Sequence, residues 1–310
     1  MTTPFPCRLL NQKDLLRKDL IGGKRSDGRN VNSFRDAILS EYKCKDPEDV
    51  LCIARIGATR VSSCISLNLR ESDPDLNLIH LKATYPGDPR RTPFPAANDE
   101  DSDHEVDMDN MEDRTHTINL EREVLLETLI DEFDLIDESK LILIPGRVVV
   151  HLFITINVLH DDGCVIDTAF LALVASLQRV RLPKWSHNPS EDSFSYDWDS
   201  LQSAELLRNP QVSSTFALIG TTVIGGPTAE EERAADTVVL AVAQGETSLL
   251  FFQVLDGSLP EGSTGEPLNQ ITLAANQQKM NLMNVLGSPP SADSLIPQDK
   301  IVKLNRNVEN

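Results

Sequence analysis

Between Val148 and His160 the even positions are apolar throughout, Val148, Val150, Leu152, Ile154, Ile156 and Val158, while the odd ones mix in His151, Thr155 and Asn157. This period of two predicts a strand with one face on a core and the other partly wet. Asp161-Asp162-Gly163 supplies turn chemistry, and the period then changes. Phe170, Leu171, Leu173, Val174 and Leu177 fall on helical spacing, behind Asp167 or Thr168 as N-cap. Arg179 and Arg181 follow, and Pro183 stops the run.

The same periodicities organise the rest. Residues 9–20 form a short amphipathic helix ended by Gly22-Gly23, and the loop from Lys24 to Arg29 turns at Asp27-Gly28. Leu51 to Arg70 is a hairpin turned by Gly57-Ala58-Thr59, with Val61, Ile65, Leu67 and Leu69 on one face of its return strand. A short strand covers Asn77 to Ala83. The stretch Leu120 to Asp134 is a helix with Leu125, Leu126, Leu129, Ile130 and Phe133 on its apolar face. Lys184 to Asp199, polar with Trp185, Phe194, Tyr196 and Trp198, is expected as a surface loop. A hairpin at Ser214–Ile224, strands at Thr237–Ala243 and Ser248–Leu255, and a helix opening at Pro267 and closing before Gly287 complete the order. Irregular alternation with several hairpins predicts an α+β fold, not a doubly wound parallel sheet. The organisation expected is an N-terminal helix (1–23), one domain (24–287) with an acidic insertion (85–115), and a tail (288–310).

Composition narrows the classes. Apolar content of 40% with 25% charged residues is ordinary for a globular chain. No apolar run approaches the ~20 residues of a membrane span, and Met1 to Arg8 lacks a secretory signal, so no membrane partner is expected. Cysteines at 7, 44, 52, 64 and 164 show neither C-x-x-C pairs nor zinc-like clustering, which predicts reduced thiols in a cytosolic or nuclear protein. The net charge of −19 argues against an autonomous nucleic-acid binder. Nine acidic residues and no Lys or Arg lie between Asp99 and Asp113. That segment is either a solubilising insertion or a docking site for a basic partner.

Four segments carry a resemblance. Arg25-Ser26-Asp27-Gly28-Arg29 with Phe34-Arg35 resembles the opening of the RNase PH family, and Ile53 to Val61 its first hairpin. Asp162 to Ala169 is similar to its strand-turn-helix junction, and Gly226 to Glu232 to its "D-P-T-x-E-E-E" segment, with Gly226 in place of the aspartate. Within the family the wording is most similar to ring subunits of the eukaryotic RNA exosome, in the branch of ribosomal RNA-processing proteins 42, 43 and 45. The stretches Leu141–Arg147 and Val212–Ala217 are most like the 43 type. The resemblance implies the fold of ribosomal protein S5 domain 2. It also implies a hetero-hexameric ring of RNase PH-like subunits with S1/KH cap subunits, a catalytic exosome nuclease and RNA, and a place in nucleus, nucleolus and cytoplasm.

Phosphorolysis needs a held phosphate, donors to hold it and an acid to assist. The resemblance puts the phosphate at the start of the helix after the turn, and there this chain carries Asp161, Asp162 and Asp167, which repel an anion. Glu230 and Asp236, six apart, fall where active relatives place carboxylates; alternatively they belong to a solvated loop. The expectation is a catalytically inactive subunit. Lys24, Arg25, Arg29 and Arg35 either contact RNA phosphates or fix the N-terminal loop by salt bridges. Arg179, Arg181 and Lys184 either contact RNA or complement a helix C-terminus. Six histidines, at 80, 104, 116, 151, 160 and 187, show no paired ligand spacing, so neither metal nor other cofactor is expected.

Overall fold

A computed structural model describes residues 12–44, 46, 49–71, 78–84, 121–188, 193–244, 248–259 and 265–288. The acidic insertion and all but the first residue of the tail lie outside them. Two sheets sandwich a buried helix. The first sheet contains β1 (Ala37–Lys43), β2 (Val50–Ile56), β3 (Thr59–Glu71), β4 (Ile79–Thr84), β5 (Ile142–Ile144) and β6 (Val148–His160). Its order is β1-β2-β3-β6-β4, with β5 paired to β6. Every pairing is antiparallel except β4 with β6.

Strand β6 buries its even positions from Val148 to Val158, as its period requires, and exposes only the terminal His160 among them. Against that face lies α3 (Val165–Leu177), every residue of which is buried. A helix that is apolar on all sides needs cover on all sides. The first sheet covers one flank, and helix α2 (residues 121–132) supplies Leu125, Leu126, Leu129 and Ile130 to the same core, joined by Phe133 just beyond it. Leu240 and Val242 of the second sheet complete the enclosure.

The second sheet runs β10-β9-β11-β12, formed by β9 (Ser214–Ile219), β10 (Thr222–Gly225), β11 (Thr237–Ala243) and β12 (Leu249–Gly257). All seven residues of β11 are buried because both faces are covered. Leu240 and Val242 face the α3 core, while Val239 and Ala241 pack with Ile271 and Ala275 of α5 (Glu266–Gly287). Helix α1 (Gln12–Ile21) seats Leu20 on Ala217, Ile219 and Ile224. It ends in paired bonds, Lys24 N–H to Asp19 O and Gly23 N–H to Leu20 O, with Gly23 at φ 76°. The N-terminal helix is thus seated on the domain rather than standing apart from it.

Several features differ from the sequence expectation, among them the helix Ala229–Ala234 where a solvated loop was one reading of Glu230–Glu232. Lys184–Asp199 is not a loop but most of a two-stranded ribbon, β7 (Arg181–Asn188) with β8 (Ser193–Ser203). Phe194, Tyr196 and Trp198 do alternate with polar residues in β8, but β7 shows no matching period, so polarity outweighed that signal. Strand β1 was not expected at all; at the edge of its sheet it is only half-buried. Finally, α3 starts at Val165, with Cys164 in the left-handed region at φ 53° and no side-chain cap. Asp167 therefore lies inside the first turn, and its carboxylate accepts from Ser213 Oγ at 2.7 Å and Thr215 N at 2.6 Å.

Candidate functional site

Three segments remote in sequence close a seam between the two sheets: residues 24–35, the turn 161–164, and residues 225–232. Arg25 is the keystone, with a wholly buried side chain. Its Nε and Nη2 donate to Glu231 Oε1 and Oε2 at 2.9 and 2.5 Å, and the guanidinium also reaches the carbonyls of Ser33, Gly225 and Gly226. A bidentate pair saturated with further acceptors is the arrangement in which a buried ion pair is tolerated. Glu231 doubles as the N3 residue of a capping box with Thr228 at the start of α4 (Ala229–Ala234). Arg35 bridges the other way, from Asp162 O at 2.7 Å and Gly163 O at 3.0 Å to Pro227 O at 2.9 Å. Gly163 has φ 85°, and a Cβ there would lie 2.6 Å from Pro227 O, so only glycine fits this close approach.

The acids at this corner are each engaged by the chain itself. Asp161 accepts from Gly163 N–H at 3.0 Å and lies 3.8 Å from Arg122. Asp162 pairs with Arg35. Burial pushes the Asp167 carboxyl up to about 6, against the opposing bonds from Ser213 and Thr215 and the charge of Arg35. At the head of α3, Cys164 N–H donates to Glu232 Oε1 at 2.7 Å, so a carboxylate of this chain occupies the helix start. Sequence reasoning passed over Glu232, since nothing local marks which of three consecutive glutamates turns toward α3.

The two carboxylates singled out from sequence sit apart from that corner in character. Glu230 is exposed in the first turn of α4. Asp236 is exposed too, bonded by Gly220 N–H at 2.8 Å and by Arg17 Nη2 at 2.6 Å. The Gly220 bond, with Arg17 assisting against slight desolvation, holds its carboxyl below the usual range.

Among the cations, Arg25 and Arg35 are buried in the seam, and Arg29 is turned to Asp27 and the carbonyl of Ser33. Arg179 donates to Glu41 at 2.9 Å and to Ala175 O at 2.6 Å, at the C-terminal end of α3. Lys24, Arg181 and Lys184 are exposed.

Burial pushes the thiols of Cys44 and Cys52 up to about 12 and that of Cys64 to about 11, and the Cys164 thiol is raised as well. None of these four is a nucleophile near neutral pH. His80 Nε2 and His151 Nδ1 lie 3.1 Å apart, a pairing set by the β4–β6 register and invisible to sequence spacing. Among the described residues, no three or more His, Cys, Asp or Glu are grouped to hold a metal ion.

No family model matches the chain. Archaeal proteins named exosome complex component Rrp42 are similar to it. That of Thermococcus gammatolerans is 27% identical over 230 residues, covering 73% of this chain and 76% of the relative. That of Archaeoglobus fulgidus is 23% identical over 265 residues, covering 84% and 92%. Among solved structures, a chain of the Archaeoglobus fulgidus exosome with RNA bound to the active site superposes with a TM-score of 0.63 at 20% identity, over 88% of this chain and 96% of that one. Rice Rrp46 superposes with a TM-score of 0.53 at 13% identity, over 85% and 98%. The fold is that of exosome core subunits. The α+β, RNase PH-like architecture expected from the sequence is the one adopted.

Proposed function

We propose that the chain is a non-catalytic structural subunit of an RNA exosome core ring, shaping an RNA channel for 3′-to-5′ processing and degradation. The observation that supports the ring role is the coverage of the likeness: 96% of an exosome core chain is matched by 87–88% of this one. Its partners would be other RNase PH-like subunits in a hetero-hexameric ring, S1/KH cap subunits, a catalytic exosome nuclease and RNA. The wording of Leu141–Arg147 and Val212–Ala217 favours the eukaryotic 43 type, which would place it in nucleus, nucleolus and cytoplasm.

The non-catalytic reading is supported by the helix start at Cys164. Glu232 already accepts its leading N–H, and Asp161 and Asp162 flank it, so a phosphate would have to displace one carboxylate and approach two more. RNA contact falls most naturally to Lys24, Arg181 and Lys184, since Arg25, Arg29, Arg35 and Arg179 have internal acceptors. The test incubates the purified chain, then its native assembly, with 3′-tailed RNA and inorganic phosphate. The chain alone should release no nucleoside diphosphates, and replacing Glu230 and Asp236 together by Ala should leave degradation by the assembly unchanged. Phosphate-dependent release of diphosphates, lost by roughly a hundredfold in that double variant with assembly mass intact, would instead make the chain a phosphorolytic exoribonuclease.

A further inference from the structure

The β7–β8 ribbon carries an aromatic face that the seam does not use. Trp185 stands opposite Tyr196 in the register, and alternation places Phe194 on the same face as Tyr196, while Trp198 falls in the irregularity between Asp197 and Leu201. Trp185 is 42% exposed, an unusual display for so large an apolar ring. The guanidinium of Arg147, from the turn between β5 and β6, lies 5.9 Å from the centre of the Phe194 ring. At the foot of the ribbon an open groove of about 360 Å³ is lined by Trp185, Lys184, Lys140, Leu143, Gln202 and Glu205, among others. Two of its lining side chains are cations and one is an acid. Asp197 stands across the ribbon from Lys184 and interacts with its charge, and Asp199 and Glu138 lie two residues from Asp197 and Lys140 in sequence. Cations and acids are balanced around the groove, so what it offers a ligand is the displayed indole with two lysines at its side.

We propose that this groove and the adjoining aromatic face bind single-stranded RNA, one base stacking on Trp185 and the flanking phosphates lying toward Lys140, Lys184 and Arg147. Exposed rings give sequence-tolerant stacking, and cations beside them track the backbone, the combination used by single-strand binders. The groove is within the size range of small-ligand sites. Gln202 offers an amide that can both donate to and accept from a base edge. The inference rests on the RNA reading above and deepens it by naming a surface outside the seam.

Trp185 and Trp198 are the chain's two tryptophans, so a Trp198→Phe background leaves Trp185 as the single indole reporter. Titrating a 12-nucleotide oligouridylate into the full chain should quench its emission saturably, with affinity falling as salt rises. By anisotropy of the fluorescein-labelled RNA, Trp185→Ala should bind about fivefold to a hundredfold more weakly, while Trp185→Phe should stay within a few fold. Replacing Lys140 and Lys184 by Ala should flatten the salt dependence without abolishing the quench. In the assembled form, a 4-thiouridine RNA should crosslink to the segment 181–203. Absence of quenching at saturation, or equal affinity in Trp185→Ala, overturns the proposal. So does loss of a protein partner from the native assembly of Trp185→Ala with RNA affinity unchanged, which would make the face a protein dock. Native mass reads assembly and the quench reads the ribbon, so failure of the ring reading and failure of this one are separable.

Discussion

Replacing Arg25 by Ala should cost about 3–5 kcal/mol in denaturant unfolding, because it leaves the Glu231 carboxylate buried without its charge partner. Removing both partners, with Met for Arg25 and Leu for Glu231, should cost less than the two single losses added. A strictly additive cycle would show that the two do not act as a pair. Asp167 gives a prediction in pH. Its folded value of about 6 lies above the 3.8 of an ordinary aspartate, so the folded state binds the proton more tightly. Its contribution is therefore whole below about pH 4 and is lost as pH rises through 6. Asp167→Asn should remove that fall from the stability profile, and an unchanged slope between pH 4 and 7 would show that the carboxyl does not titrate there. The residue scale is also where sequence was least informative. Arg25 and Arg35 stand in a polar loop, and whether they face RNA or lock a seam depends on Glu231 and Pro227, roughly two hundred residues away. No periodicity encodes such a partner.

Elements were legible in proportion to how completely one face is buried. Strand β6 shows a clean period of two because its even face lies on α3. Helix α2 shows its stripe because Leu125, Leu126, Leu129 and Ile130 share one core. The ribbon failed the same test, its strand β8 alternating aromatic with polar residues in the open. Helix α1 is an intermediate case, joined to the second sheet chiefly through Leu20, which is fully buried. Leu20→Ala should cost about 2–5 kcal/mol for lost burial and the cavity left behind. Hydrogen exchange should then quicken in α1 and β9 before it does in α3. Uniform loss of protection would mean that α1 unfolds only with the whole body.

Among the described residues, parts of the outer surface are poor in charge. On α5 the exposed positions are Leu268, Asn269, Leu273, Gln277, Met280, Asn281, Asn284 and Gly287, with Glu266 their one charge. Edge strand β12 displays Leu250 and edge strand β1 displays Ile38. Depletion of charge and open sheet edges are features of surfaces meant to be covered. The isolated chain should therefore aggregate or melt below its assembled form. A monodisperse monomer melting at the same temperature as the assembly would argue against that role. The seam has a separate consequence in time. Arg25 waits for Glu231 across 206 positions and Arg35 for Pro227 across 192. At roughly 5–20 residues per second of translation, the N-terminal arm emerges ~10–40 s before its acceptors exist. Until then α1 has no surface to sit on, so the arm made first has to wait undocked for the strands that will hold it.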